Sequence, residues 1–109
     1  MAVKANIQIT RDGDLPDVGN QWMRRDFDLV FEQTVTLSTS KTEVKHHLSS
    51  IEFIYIEITS GSDSVYVYKN LSPESWQFDD FFIAAVTDLE QLSLSAGGAV
   101  TVRLFLAGA

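Results

Sequence analysis

Three places in the chain carry residue types that can do chemistry. The first is His46-His47, the only two histidines. A metal site needs three or four converging donors. Adjacent side chains on a strand point to opposite faces, so this pair does not readily chelate one ion, and a polar loop is the simpler reading. The second is Asp12-Gly13-Asp14 with Asp17. Calcium loops place oxygens at defined spacings and close on a bidentate acid. No glutamate follows at that distance, which leaves a solvated turn as the default. The third is Asp79-Asp80, a candidate carboxylate pair. Adjacent positions on extended chain diverge, no partner acid is identifiable from spacing, and a polar turn between two apolar strands is expected.

Other catalytic patterns are missing from the sequence. No serine sits in G-x-S-x-G, and there is neither a phosphate loop nor G-x-G-x-x-G. The chain has no cysteine, which excludes disulfides, thiolate zinc sites and a cysteine nucleophile. The expectation is a protein that is not an enzyme and uses no cofactor and no metal.

The aromatic residues offer a different chemistry, that of contact. Trp22, Tyr55, Tyr66, Tyr68 and Trp76 could line a sugar-binding face or a protein interface, where Tyr and Trp are enriched; equally, they could pack the core. Val65 and Val67 should face inward, which turns Tyr66 and Tyr68 outward. The expected contact residues are Trp22, Arg24, Arg25, Tyr66, Tyr68 and Trp76.

The elements that must position these residues read as strands. Val3 to Thr10 alternates, with Val3, Ala5, Ile7 and Ile9 on one side. Residues 11–26 read as a loop or arm, rich in Asp, Gly and Pro up to Asn20. Phe27 to Leu37 alternates, with Phe27, Leu29, Phe31, Val35 and Leu37 sharing a face. Ser38 to Ser50 is a long connection or holds a weak polar strand. Ile51 to Ile58 is apolar on both faces (Ile51, Phe53 and Tyr55 against Ile54, Ile56 and Ile58), the mark of a centrally placed strand. The turn signal at 59–63 and the Val/Tyr-rich run from Val65 to Lys69 read with it as a hairpin. Trp76 to Val86 reads as a strand, a turn at Asp79-Asp80 and another strand, with a helix from Pro73 capped by Ser72 as the competing reading. Leu89 marks entry to a strand carrying Leu92 and Leu94. Gly97-Gly98 then makes the strongest turn in the chain. Val100, Val102, Leu104 and Leu106 follow in alternation, and the last two strands should pair antiparallel.

Several short strands punctuated by turns define an all-β class, an antiparallel β-sandwich or barrel. A length of 109 residues suits one domain spanning 1–109. The net charge of −7, with eight scattered Lys and Arg, argues against nucleic acid and anionic membrane as partners. The N-terminal residues lack the apolar core of a signal peptide. The longest apolar run, Phe81 to Val86, is far short of the ~18 residues that span a bilayer.

Beyond these readings, the run from Ile51 to Val67, then Leu89 to Leu94 and Gly97 to Gly108, resembles small virion proteins of tailed bacteriophages. The shared pattern is strand, Ser-Gly turn, strand, long apolar stretch, strand, Gly turn, and a terminal strand ending in Ala-Gly. The resemblance implies a jelly-roll-like sandwich of about eight strands. It implies a non-enzymatic structural role in the virion, assembled in the host cytoplasm: a capsid decoration or cement protein, a head-fibre base or a tail component. The implied partners are further copies of the chain, with a trimer favoured, and other virion proteins such as the major capsid protein. A glycan-binding β-sandwich module or a tail or fibre adhesion component is the alternative. The segment with Arg24-Arg25-Asp26 falls outside the resemblance and could serve as a docking arm. Exposed strand edges need covering, which oligomerisation or docking would do.

Overall fold

The computed structural model describes residues 2–9 and 19–109, with side chains described for Lys4 and residues 26–109. The described chain is all β, with no helix. β1 (Ala2–Ile9) and β2 (Gly19–Asp26) form an antiparallel two-stranded sheet. Residues 19–26 are therefore strand where a loop or arm was expected, and Asp12, Gly13, Asp14 and Asp17 lie outside the described residues.

The remaining eight strands are β3 (Leu29–Leu37), β4 (Thr42–Glu43), β5 (Ile51–Ser60), β6 (Val65–Lys69), β7 (Ser75–Phe78), β8 (Phe81–Leu89), β9 (Leu92–Ala96) and β10 (Val100–Gly108). They form two antiparallel sheets of four, one of long strands in the order β3-β10-β5-β8 and one of short strands in the order β4-β9-β6-β7. The pairs β3–β10, β4–β9, β5–β8 and β6–β7 are those of a single long ribbon folded back at the β6–β7 tip. Rolling that ribbon up brings β10 onto β5 and β9 onto β6. This is a jelly roll, an eight-stranded double-sheet sandwich.

The core lies between the sheets and follows the period-2 alternation of each strand. Val100, Val102, Leu104 and Leu106 of β10, Val65 and Val67 of β6, and Leu92 and Leu94 of β9 are almost wholly buried there. Each such side chain removed from water contributes roughly 1.5–3 kcal/mol. No disulfide is needed to hold an interior of this extent.

Several local expectations need correction. β5 and β6 do not form a hairpin, and β9 and β10 do not pair; in both cases the turn carries the chain from one sheet to the other. Gly61, at φ +102°, makes the first crossing, and a Cβ there would sit 2.8 Å from the Ala99 carbonyl oxygen at the second. The two crossings thus stack at one end of the sandwich, joined by the Gly97 amide donating to the Ser64 carbonyl. Leu89 ends β8 rather than opening β9. The Ser38–Ser50 stretch is mostly connection, with the two-residue β4 inside it. Ser72 caps no helix: its hydroxyl accepts the Glu74 amide in a turn.

Two face assignments also change. A bulge between Ile51 and Phe53 sets Ile51 opposite Leu89 and Phe53 opposite Ala85. It turns Ile51 into the inter-sheet core and leaves Phe53 on the other face. Phe27 precedes β3 and packs with Phe53, whereas Phe31, Val35 and Leu37 face the core; Leu29, at the strand end, is exposed.

Candidate functional site

The long-stranded sheet is apolar on its outer face as well as its inner one. Register places Val30, Ala107, Phe53 and Ala85 in one row across that outer face. Glu32, Phe105, Tyr55 and Ile83 form the next row, and Thr34, Arg103, Glu57 and Phe81 the third. Phe27, Phe53 and Ala107 are buried at one end of the face. At the other end Phe81 is 57% exposed, and Phe105, Tyr55 and Ile83 are half-buried. The rings contact one another: Phe53 meets Phe105 edge-on at 6.2 Å, and Tyr55 tilts against Phe81 at 6.5 Å.

Three charged residues share this surface, Glu32, Arg103 and Glu57, and the last two form a pair. Arg103 Nη1 lies 3.9 Å from Glu57 Oε1, and the Tyr55 hydroxyl donates to Glu57 Oε2 at 3.0 Å. Burial, reinforced by that hydrogen bond and by the Glu57 charge, raises the Tyr55 pKa above its ordinary value, while Arg103 pulls the other way. The phenol therefore stays neutral and fixes the carboxylate in place.

The outer face of the short-stranded sheet is chemically different. Tyr66 and Tyr68 point outward there, opposite the buried Val65 and Val67, as the alternation predicts. The Tyr68 hydroxyl lies 3.1 Å from Ser95 Oγ, and the Lys41 ammonium sits 4.3 Å above the Tyr68 ring. Ser93 and Ser95 are buried beside the tyrosines.

Trp76 does not join them. It pairs with Val67 and so lies on the inward side of β7. β7 is an edge strand, with no further strand paired to it among the described residues, so the indole lies at the open side of the sandwich. There it stacks on Phe82 of β8 at 5.4 Å and 26°, yet remains 40% exposed. A cleft of about 320 Å³ opens beside it, lined by Val67, Lys69, Ser72, Glu74, Ser75 and Trp76. A single aromatic face built from Tyr55, Tyr66, Tyr68 and Trp76 is thus ruled out: the four lie on three different surfaces. Trp22, Arg24 and Arg25 are on β2, in register with Asn6, Lys4 and Val3, and their side chains lie outside the described residues.

Two of the three candidate groups, the histidines and Asp79-Asp80, fall on structural contacts. The His46 ring holds the β3–β5 connection: Nδ1 accepts the Leu48 amide at 3.1 Å, and Nε2 lies 2.9 Å from the Glu90 carbonyl. His46 and His47 both meet Phe31 edge-on. Asp79 accepts a hydrogen bond from the Ser64 hydroxyl, and the Asp80 carbonyl accepts the Ile58 amide. Among the described residues no group of three or more His, Asp or Glu is placed to hold a metal ion.

Sequence reasoning passed over Phe81, Ile83, Phe105, Arg103 and Glu57 as surface residues. Their signal was present in the two-sided apolarity of Ile51–Ile58 and in Phe105 alternating with core leucines, but only the sheet order brings them together.

Among the described residues the fold is a jelly-roll sandwich, with an aromatic outer face on its long-stranded sheet and a cleft beside Trp76. No protein-family model, curated protein or solved structure matches the chain.

Proposed function

We propose that this chain is a non-enzymatic structural protein of a tailed-bacteriophage virion, a capsid decoration or cement protein that stabilises the shell by docking as a homo-oligomer. The sequence pattern that resembles such proteins motivates the reading. The observation that carries it is the aromatic outer face of the β3-β10-β5-β8 sheet. An antiparallel sheet with one solvated face normally shows polar residues there. Here Phe81, Ile83, Tyr55 and Phe105 share that face with Glu32, Thr34, Arg103 and Glu57, and accessible apolar clusters rimmed by polar residues are the kind of surface that marks interaction sites. A further copy of the chain, and beneath it a capsid protein, is the occupant this reading assigns. The Arg103–Glu57 pair adds charges of both signs at the edge of the patch, which suits register rather than affinity.

Light scattering on the purified protein should return the mass of an oligomer, a trimer by the resemblance, and Phe81→Asp should shift it toward the monomer. The wild-type protein should co-sediment with expanded phage capsids and raise their resistance to heat. A strictly monomeric protein that binds neither capsids nor tails would overturn the reading.

A further inference from the structure

We infer that the cleft beside Trp76 is a binding site for a neutral saccharide. The inference does not depend on the virion reading and starts from how Trp76 is held. Its position on the inward side of an edge strand gives the indole a rigid support. Phe82 stacks under it at 5.4 Å, and Phe78, itself buried, packs against Phe82 at 5.8 Å. Trp76 nonetheless keeps 40% of its surface exposed. It is a fixed aromatic plate with solvent access.

The groups around the plate are those that read hydroxyls. Lys69 and Glu74 both line the cleft, and neither side chain has a hydrogen bond or ion pair with any other described residue. A free ammonium donor and a free carboxylate acceptor therefore border the same ring. Ser72 adds a hydroxyl: its oxygen accepts the Glu74 amide at 3.1 Å, which leaves its proton to donate outward. The same loop is tied down by the Ser72 amide to the Lys69 carbonyl at 3.1 Å and by Lys41 Nζ to the Ser72 carbonyl at 3.4 Å. The polar groups are thus carried on a loop with a defined shape.

The ligand class follows from this combination. A pyranose has an apolar C–H face that packs on an aromatic ring, and a rim of hydroxyls that both donate and accept. An anionic ligand would meet Glu74 and the chain's net charge of −7; a cationic one would meet Lys69. A neutral polyhydroxylated ring uses both. The volume of about 320 Å³ lies at the small end of the range for ligand sites, which suits one or two sugar units.

The test is a screen of methyl glycosides of glucose, galactose, mannose and N-acetylglucosamine, and of their disaccharides. Binding to the Trp22→Phe protein is followed by Trp76 fluorescence, and calorimetry on the otherwise wild-type background measures every variant, Trp76→Ala included. At least one sugar should bind saturably, Trp76→Ala should abolish the binding, and Glu74→Gln and Lys69→Met should each weaken it about tenfold, the effect of losing a hydrogen bond to a charged group. If Trp76→Ala fails to fold, the Glu74 and Lys69 variants decide, because both residues lie outside the core. No saturable binding across the panel, or binding that survives Glu74→Gln and Lys69→Met unchanged, overturns the inference. A strictly monomeric protein that binds sugar but neither capsids nor tails would refute the decoration reading and leave this one standing.

Discussion

Tyr55 shows how a single residue on the aromatic face ties chemistry to stability. Its hydroxyl donates to Glu57 in a half-buried setting, and its pKa is raised by burial first and by Glu57 second. The folded state therefore favours the protonated phenol more than the unfolded state does. That stabilisation is fully present below the ordinary tyrosine value of about 10 and is lost as pH rises through the raised folded value. Urea unfolding measured across pH 9 to 12 should show stability falling at the alkaline end (a range set by that ordinary value), with a shallower fall in Tyr55→Phe. An identical decline in both proteins would show that Tyr55 is not its source. The outward direction of Tyr66 and Tyr68 was legible in the sequence, because Val65 and Val67 flank them on the same strand and backbone pleat alone decides the faces. The inward direction of Trp76 was not, because it depends on pairing with Val67.

At the scale of elements, the corners of the roll are held by side chains as much as by turns. Asn70 adopts φ +53° just after β6. Its Oδ1 accepts the Glu90 and Gln91 amides at 2.9 and 3.1 Å, and its Nδ2 donates to the Asp88 carbonyl at 2.9 Å. One side chain thus clamps the β6–β7 loop onto the β8–β9 corner, and asparagine is among the few residues that tolerate this backbone region. Asn70→Ala should lower stability by about 2–4 kcal/mol, from lost hydrogen bonds and left-handed strain together. Asn70→Gly, which relieves the strain but still loses the bonds, should cost about 1 kcal/mol less. Chemical denaturation of the two variants side by side checks both numbers, and equal losses would remove the backbone contribution. The two hairpins expected from Gly61 and from Gly97-Gly98 fail for an element-level reason. Turn chemistry specifies that the chain reverses, but it does not specify which strand it reverses onto. Here β5 pairs with β10 and β8 in one sheet, and β6 with β9 and β7 in the other.

For the whole molecule, the pairing pattern makes folding a long-range problem. β3 and β10 are neighbours although they stand at opposite ends of the sandwich sequence, with Leu29 opposite Gly108. Only β6 and β7 are consecutive strands that pair within the sandwich. Loop closure must precede most of the stabilising contacts, which slows all-β folds into the millisecond-to-second range. Stopped-flow refolding followed by tryptophan fluorescence should fall in that range; refolding in microseconds would contradict the rolled-ribbon order.

Class, most strand positions and most inward residues were written in the sequence, because side-chain alternation and turn residues act within a few positions of chain; β2, read as part of a loop or arm, was the exception. The absence of a nucleophile motif and of cysteine could be read in the same way. Sheet membership, the bulge that parts Ile51 from Phe53, the aromatic outer face and the cleft at Trp76 were decided only by the tertiary structure. Each of these requires strands distant in sequence to lie side by side, and which strands do so is settled by packing two whole sheets at once rather than by any local pattern.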